Sequence, residues 1–169
     1  MASPAFSVSL ALAVFLAGNG VASDTDMDRA TLRGIKAVKV IVDPAPPEIE
    51  RAGLDRDHLH ARIEQKLRDA GITIDGDAAE FVGLNITSVR GVKTGAFSLK
   101  SSPLSLMIGL GVYQVVTLSR DKTSKTVAET WSQQRVMSAA PKAAAEAVSS
   151  AVDELADEFV KAYRSVNPQ

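Results

Sequence analysis

The sequence predicts an α+β domain: a mostly antiparallel sheet of about four strands with two helices packed on one face, in the order β-α-β-β-β-α. Three observations carry this class. One is a long alternating apolar segment, Leu104–Leu118. Another is the pair of amphipathic helical repeats on either side of the strands, at 55–70 and 141–166. The last is a composition of 46% apolar and 23% charged residues over 169 positions, which suits one folded core.

The segment before the domain reads as an address. Residues 1–23 carry no charge, and Val8–Ala17 is an apolar run of ten, too short to span a ~30 Å hydrocarbon core as a helix. Gly18-Asn19-Gly20 breaks it, and the small residues Val21-Ala22-Ser23 follow. This is the layout of a secretory signal peptide cleaved after Ala22 or Ser23, although no Lys or Arg precedes the apolar run. An uncleaved anchor and a plain N-terminal tail are the alternatives. Residues 24–34 (DTDMDRATLRG) read as a flexible arm, and 35–169 as a single domain.

Within Ile35–Val42, Val38, Val40 and Val42 share one face, so a strand is expected, closed by the Pro-rich loop Asp43–Pro47. A helix over 55–70 follows. Asp55 is its N-cap, Leu59, Ile63, Leu67 and Ala70 repeat at helical spacing, and Gly71 suits the left-handed C-terminal position. Ile72–Asp75 is a short strand at most. Ala79–Val89 alternates, with Val82, Leu84 and Ile86 opposite Asn85 and Thr87, and Gly91–Gly95 turns the chain.

Nineteen uncharged residues separate Lys100 from Arg120, so a membrane helix must be weighed. The period decides against it. Leu104, Leu106, Ile108, Leu110, Val112, Val116 and Leu118 share one parity, which is the pattern of a half-buried strand. Gly109 and Gly111 are expected to mark a bulge or a close backbone approach. Asp121–Lys125 is expected to be a polar hairpin loop, and the strand returns over about Thr126–Met137. Pro141 opens the last helix, whose buried stripe is Val148, Val152, Leu155, Phe159 and Tyr163. On its wet side Asp157 is placed to pair with Lys161.

Chemistry is sparse. Without cysteine there are no disulfides, thiolate metal sites, cysteine nucleophiles or lipidated N-terminal cysteine. A net charge of −1 makes no case for nucleic acid as partner. His58 and His60, at i and i+2, point about 160° apart on a helix and cannot chelate one metal as an i, i+4 pair can. No G-x-S-x-G occurs, and Gly109-Leu110-Gly111 lies within a strand with no helix after it. Glu80 and Glu129 could approach as a carboxylate pair, but charges at strand edges more often discourage aggregation. Asn85-Ile86-Thr87 matches a glycosylation acceptor yet lies inside a strand.

The sites expected to matter are therefore contacts. No catalytic, cofactor or metal residue is assigned. Met107, Tyr113 and Val115 lie on the second parity of the long strand and form an apolar patch if no helix or arm covers them. Trp131 is either a core anchor or a partner contact, and is kept with them as a contact candidate.

The stretches VKVIVDPAPP, GLDRDHLHARIEQKLRDAGI, FVGLNITSV, YQVVTLSRD, ETWS and DEFVKAYRSVNP together resemble a family of small exported bacterial proteins of unknown function, over most of residues 36–168. The order of elements is similar, more loosely, to the amino-terminal α/β domain of the Tol-Pal translocation protein and to the periplasmic domain of the curli secretion lipoprotein. These resemblances imply contact with another envelope protein, not catalysis, and transfer no functional residue. The expectation is an exported, periplasmic or secreted, non-enzymatic interaction domain with no stable membrane span in the mature chain. The alternatives are a binder of small apolar ligands between sheet and helices, and a hydrolase with an acidic or histidine-assisted site.

Overall fold

The computed structural model describes residues 24–90 and 103–168, so the predicted signal peptide and the Gly91–Gly95 turn lie outside the described residues. The α+β class is as predicted. The sheet has five strands rather than about four, in the order β2-β1-β3-β4-β5, and two of its four ladders are parallel. Strand β1 (Ala37–Val42) is parallel to both β2 (Thr73–Ile74) and β3 (Phe81–Arg90); β3, β4 (Leu104–Leu118) and β5 (Asp121–Ala139) form an antiparallel meander. The cause is the helix between β1 and β2, which carries the chain back to the end where β1 began, so the next strands run the same way. Periodicity reports which face a residue occupies, not the direction of its neighbour strand.

The described helices are α1 (Asp26–Ala30), α2 (Pro47–Glu50), α3 (Arg56–Asp69) and α4 (Ala144–Val166). The caps of α3 form as its sequence requires. The Asp55 carboxylate accepts from the His58 amide at 2.9 Å, and Gly71 takes φ +80°. Gly71 N–H donates to Arg68 O and Ile72 N–H to Leu67 O, both at 2.9 Å, which satisfies the last carbonyls. Helix α2 follows the expected Pro-rich loop and shares only Pro47 with it. Pro47 opens it, where a missing N–H costs nothing, and Ile49 is fully buried.

Helices α3 and α4 cover one face of the sheet. The even-numbered residues Leu104–Val112 of β4 meet Val148, Val152, Leu155 and Phe159 there. The two helices are joined at their edges by Arg62 Nε to Asp153 (2.7 Å) and Lys66 to Asp157 (2.6 Å). Asp157 therefore pairs across to α3 rather than with Lys161. Trp131 is fully buried and forms an aromatic row with Phe159 (centroids 5.5 Å) and Tyr163 (6.1 Å from Phe159). Tyr163 is tied down by its hydroxyl, which donates to Ile35 O at 2.8 Å.

The stretch read as a flexible arm is part of this fold. Thr25 caps α1 in a reciprocal box with Asp28, and Leu32 is fully buried. Asp24 accepts the Trp131 indole N–H at 2.8 Å and the Arg29 fork at 2.8 and 2.6 Å. Those bonds tie the segment to β5, across more than a hundred residues that the sequence pattern could not connect.

Two irregularities shape β5. Near the hairpin tip the register passes from Thr117↔Lys125 to Leu118↔Asp121, so the expected polar loop is drawn into the strand pair as an irregular end. The Asp121 carboxylate accepts from Ser124 Oγ, Thr123 Oγ1 and Thr123 N, which lowers its pKa to about 2. The second lies where Val112↔Trp131 is followed by Tyr113↔Glu129, leaving Thr130 as the extra residue. The bulge thus falls on β5, not at Gly109 or Gly111. It places Trp131 with Val112 on the helix side and Glu129 with Tyr113 on the opposite side, although the two are only two residues apart.

Candidate functional site

No described helix lies across the second face of the sheet. Its large apolar residues stay exposed: Met107 at 41%, Val115 and Val127 at 54%, and Val136 at 63%. Near its centre the surface dips into an open depression of about 270 Å³, spanning β1 to β5.

The floor is glycine. Gly83 pairs with Gly111, and Asn85 with Gly109, on adjacent strands. A Cβ on Gly83 would stand 2.9 Å from Tyr113 Cε2, and one on Gly111 would stand 2.7 Å from Glu129 Oε2. These glycines are what let the Tyr113 ring and the Glu129 carboxylate lie down over the sheet. The expectation of a close approach at Gly111 is met by a side chain, not by a second backbone.

Tyr113 forms one wall by stacking on its cross-strand neighbour Phe81, with centroids 4.7 Å apart and rings 8° from parallel. Its hydroxyl donates to Glu129 Oε2 at 2.9 Å. Burial first, then the Glu129 carboxylate, raises the Tyr113 pKa to about 12, so the phenol holds its proton. On the opposite side Asn85 Nδ2 donates to Asp43 Oδ2 at 2.9 Å. Ser132, cross-strand from Gly111, lines the depression at 6% exposure, and its hydroxyl has no hydrogen-bond partner among the described residues.

Of the predicted contacts, Met107 and Tyr113 both line the depression, and Val115 lies one pleat further along the same face. Trp131 does not belong with them. The β5 bulge turns it into the core, where its N–H is taken by Asp24, so it cannot reach a partner. Phe81, Gly83, Asp43 and Ser132 were not singled out by sequence. Phe81, Gly83 and Asn85 share a parity, which was available as a signal, but their alignment with Tyr113 comes from the strand register.

The other candidates lie elsewhere. His58 Nδ1 is 2.9 Å from its own cap residue Asp55, and the half-exposed His60 reaches Val40 O of β1 through Nε2 at 3.1 Å. Glu80 precedes β3 and does not line the depression with Glu129; the second carboxylate there is Asp43. Among the described residues no group of three or more histidine, aspartate and glutamate side chains gathers as a metal site. No described helix is long and apolar enough to cross a membrane.

No protein-family model matches the chain, and no curated protein matches it in sequence. Among solved structures it is similar to a minor lipoprotein from Acinetobacter baumannii, at 13% identity and a TM-score of 0.38, over 80% of this chain and 95% of that one.

Proposed function

We propose that this chain is an exported, non-enzymatic binding domain of the bacterial envelope, and that it acts through the open face of its sheet. The observation that carries this reading is the uncovered face itself, with exposed Met107, Val115, Val127 and Val136 around a polar depression. Export rests on the uncharged leader with its apolar run Val8–Ala17 and the small residues before Asp24. The chemistry of the depression suits binding better than turnover. Tyr113 keeps its proton to about pH 12, and no hydrogen bond joins the Ser132 hydroxyl to a base among the described residues.

The test has two arms. Cell fractionation with N-terminal sequencing should find the chain outside the cytoplasm, beginning at Ser23 or Asp24. Photo-crosslinkers at positions 115 and 136 should capture the same envelope protein, whereas one at exposed Ser150 on α4 should not. Val115→Asp should abolish the capture without unfolding the domain. A cytoplasmic protein with an intact leader, or crosslinks only from position 150, would overturn the reading.

A further inference from the structure

We infer that the depression between β1 and β5 is a binding site for a guanidinium group, the arginine side chain of a partner segment docked on the open face. The inference deepens the proposed function and rests on the open face being the contact surface.

The site is set for a cation. Its lining includes Asp43 and Glu129 and no Lys, Arg or His. Both carboxylates belong to exposed residues, and neither has an ion-pair partner among the described residues. Each lining carboxylate is nevertheless held in place by one neutral donor: Asn85 holds Asp43 through Oδ2, and Tyr113 holds Glu129 through Oε2. That leaves Asp43 Oδ1 and Glu129 Oε1 as oriented acceptors with no donor among the described residues. A third acceptor is the hydroxyl of Ser132, a residue 6% exposed that lines the same depression and whose hydroxyl has no hydrogen-bond partner among the described residues.

Shape favours guanidinium over a compact ammonium. The Phe81–Tyr113 stack supplies an aromatic wall, and the floor beside it is open at Gly109, where a Cβ would meet only Gln134 Cγ at 3.6 Å. A planar fork with several N–H donors can address separate acceptors and lie against a ring, which a point-like ammonium cannot do. The volume of about 270 Å³ accepts one long side chain and falls below the roughly 300–1,000 Å³ of pockets for drug-sized ligands. The rim of Met107 and the nearby Val115 would cover the aliphatic stem of such a side chain.

NMR titration of the 15N-labelled protein provides the test. The probes are N-acetyl-arginine amide, an Ac-Val-Arg-Val-NH2 peptide and its citrulline isostere, which keeps the shape without the charge. The expected result is saturable shifts at the Gly83, Gly109 and Gly111 amides with both arginine probes. Glu129→Gln and Asp43→Asn should each weaken binding about fivefold, with unchanged thermal unfolding. Further shifts at Val115 and tighter binding by the peptide would identify a partner's side chain as the natural source; equal affinity of both probes would identify a free small cation. Equal binding of the citrulline peptide, or wild-type affinity in both variants, would overturn the cation site while leaving the open-face reading intact. Arginine binding at the glycines without envelope crosslinks from positions 115 and 136 would retain the site and remove the envelope interface.

Discussion

Replacing Asp24 by Ala tests whether the amino-terminal segment is built into the fold. The indole N–H of Trp131 is fully buried, and Asp24 Oδ1, at 2.8 Å, is its acceptor. Removing that oxygen leaves a buried donor unpaired, a loss of about 1–3 kcal/mol. The Arg29 fork on the same carboxylate is a partly exposed surface pair and adds little beside the buried donor, so about 2 kcal/mol is expected, equivalent to a Tm lower by roughly 4–8 °C for a chain of this size. Urea unfolding followed by far-ultraviolet circular dichroism reads the change directly, and it serves equally in variants that lack Trp131, the chain's single tryptophan. In a Trp131→Phe background, where no N–H remains, most of the cost should vanish, giving a coupling of about 1–2 kcal/mol. The carboxyl also predicts a pH dependence. Its pKa is lowered from 3.8, chiefly by the Arg29 hydrogen bonds. Its contribution is therefore complete above the unfolded value and lost as pH falls through the lower folded one. Asp24→Asn should remove that acid limb. A change below about 0.5 kcal/mol on Asp24→Ala, or an equal cost in both backgrounds, would refute the anchoring argument.

Other expectations follow from single contacts. Gly71→Ala forces a side chain into φ +80° and should cost about 1 kcal/mol by chemical denaturation. Gly83→Ala should displace the Tyr113 ring, which the Phe81 stack holds 2.9 Å from the new Cβ, and cost about 1 kcal/mol or more. Gly111→Ala meets the Glu129 side chain, at 2.7 Å from Oε2 and 3.3 Å from Cγ, and should cost less than Gly83→Ala because that side chain can swing away by giving up its Tyr113 hydrogen bond; equal costs at the two sites would contradict the assignment of their roles. Ultraviolet titration should show Tyr113 ionising near pH 12, moving toward 10 in Glu129→Gln. Because the folded pKa is the higher one, the stability linked to this proton is complete below about pH 10 and lost as pH rises through 12. Phe159→Ala, at the centre of the aromatic row, should cost about 3–5 kcal/mol and broaden the Trp131 signal.

The elements whose signals are local were legible from the chain. Asp55, the Leu59–Ile63–Leu67 stripe and Gly71 define α3, because caps and a helical period involve residues within one or two turns of each other. The even-parity apolar set in β4 defines a half-buried strand for the same reason, and it also placed Met107, Tyr113 and Val115 on the second face. Tertiary structure decided the rest, wherever one segment's role depends on a distant one. Parallel pairing of β1 depends on where α3 returns the chain. Residues 24–34 look polar and unattached until Trp131, more than a hundred residues away, presents an N–H that needs Asp24. The depression exists because Thr130 bulges out of register, sending Glu129 and Trp131 to opposite faces, and because Gly83 and Gly111 meet across a ladder. A period of two assigns each strand its faces, but it holds no information about register, and register is what brings Asp43, Tyr113, Glu129 and Ser132 together.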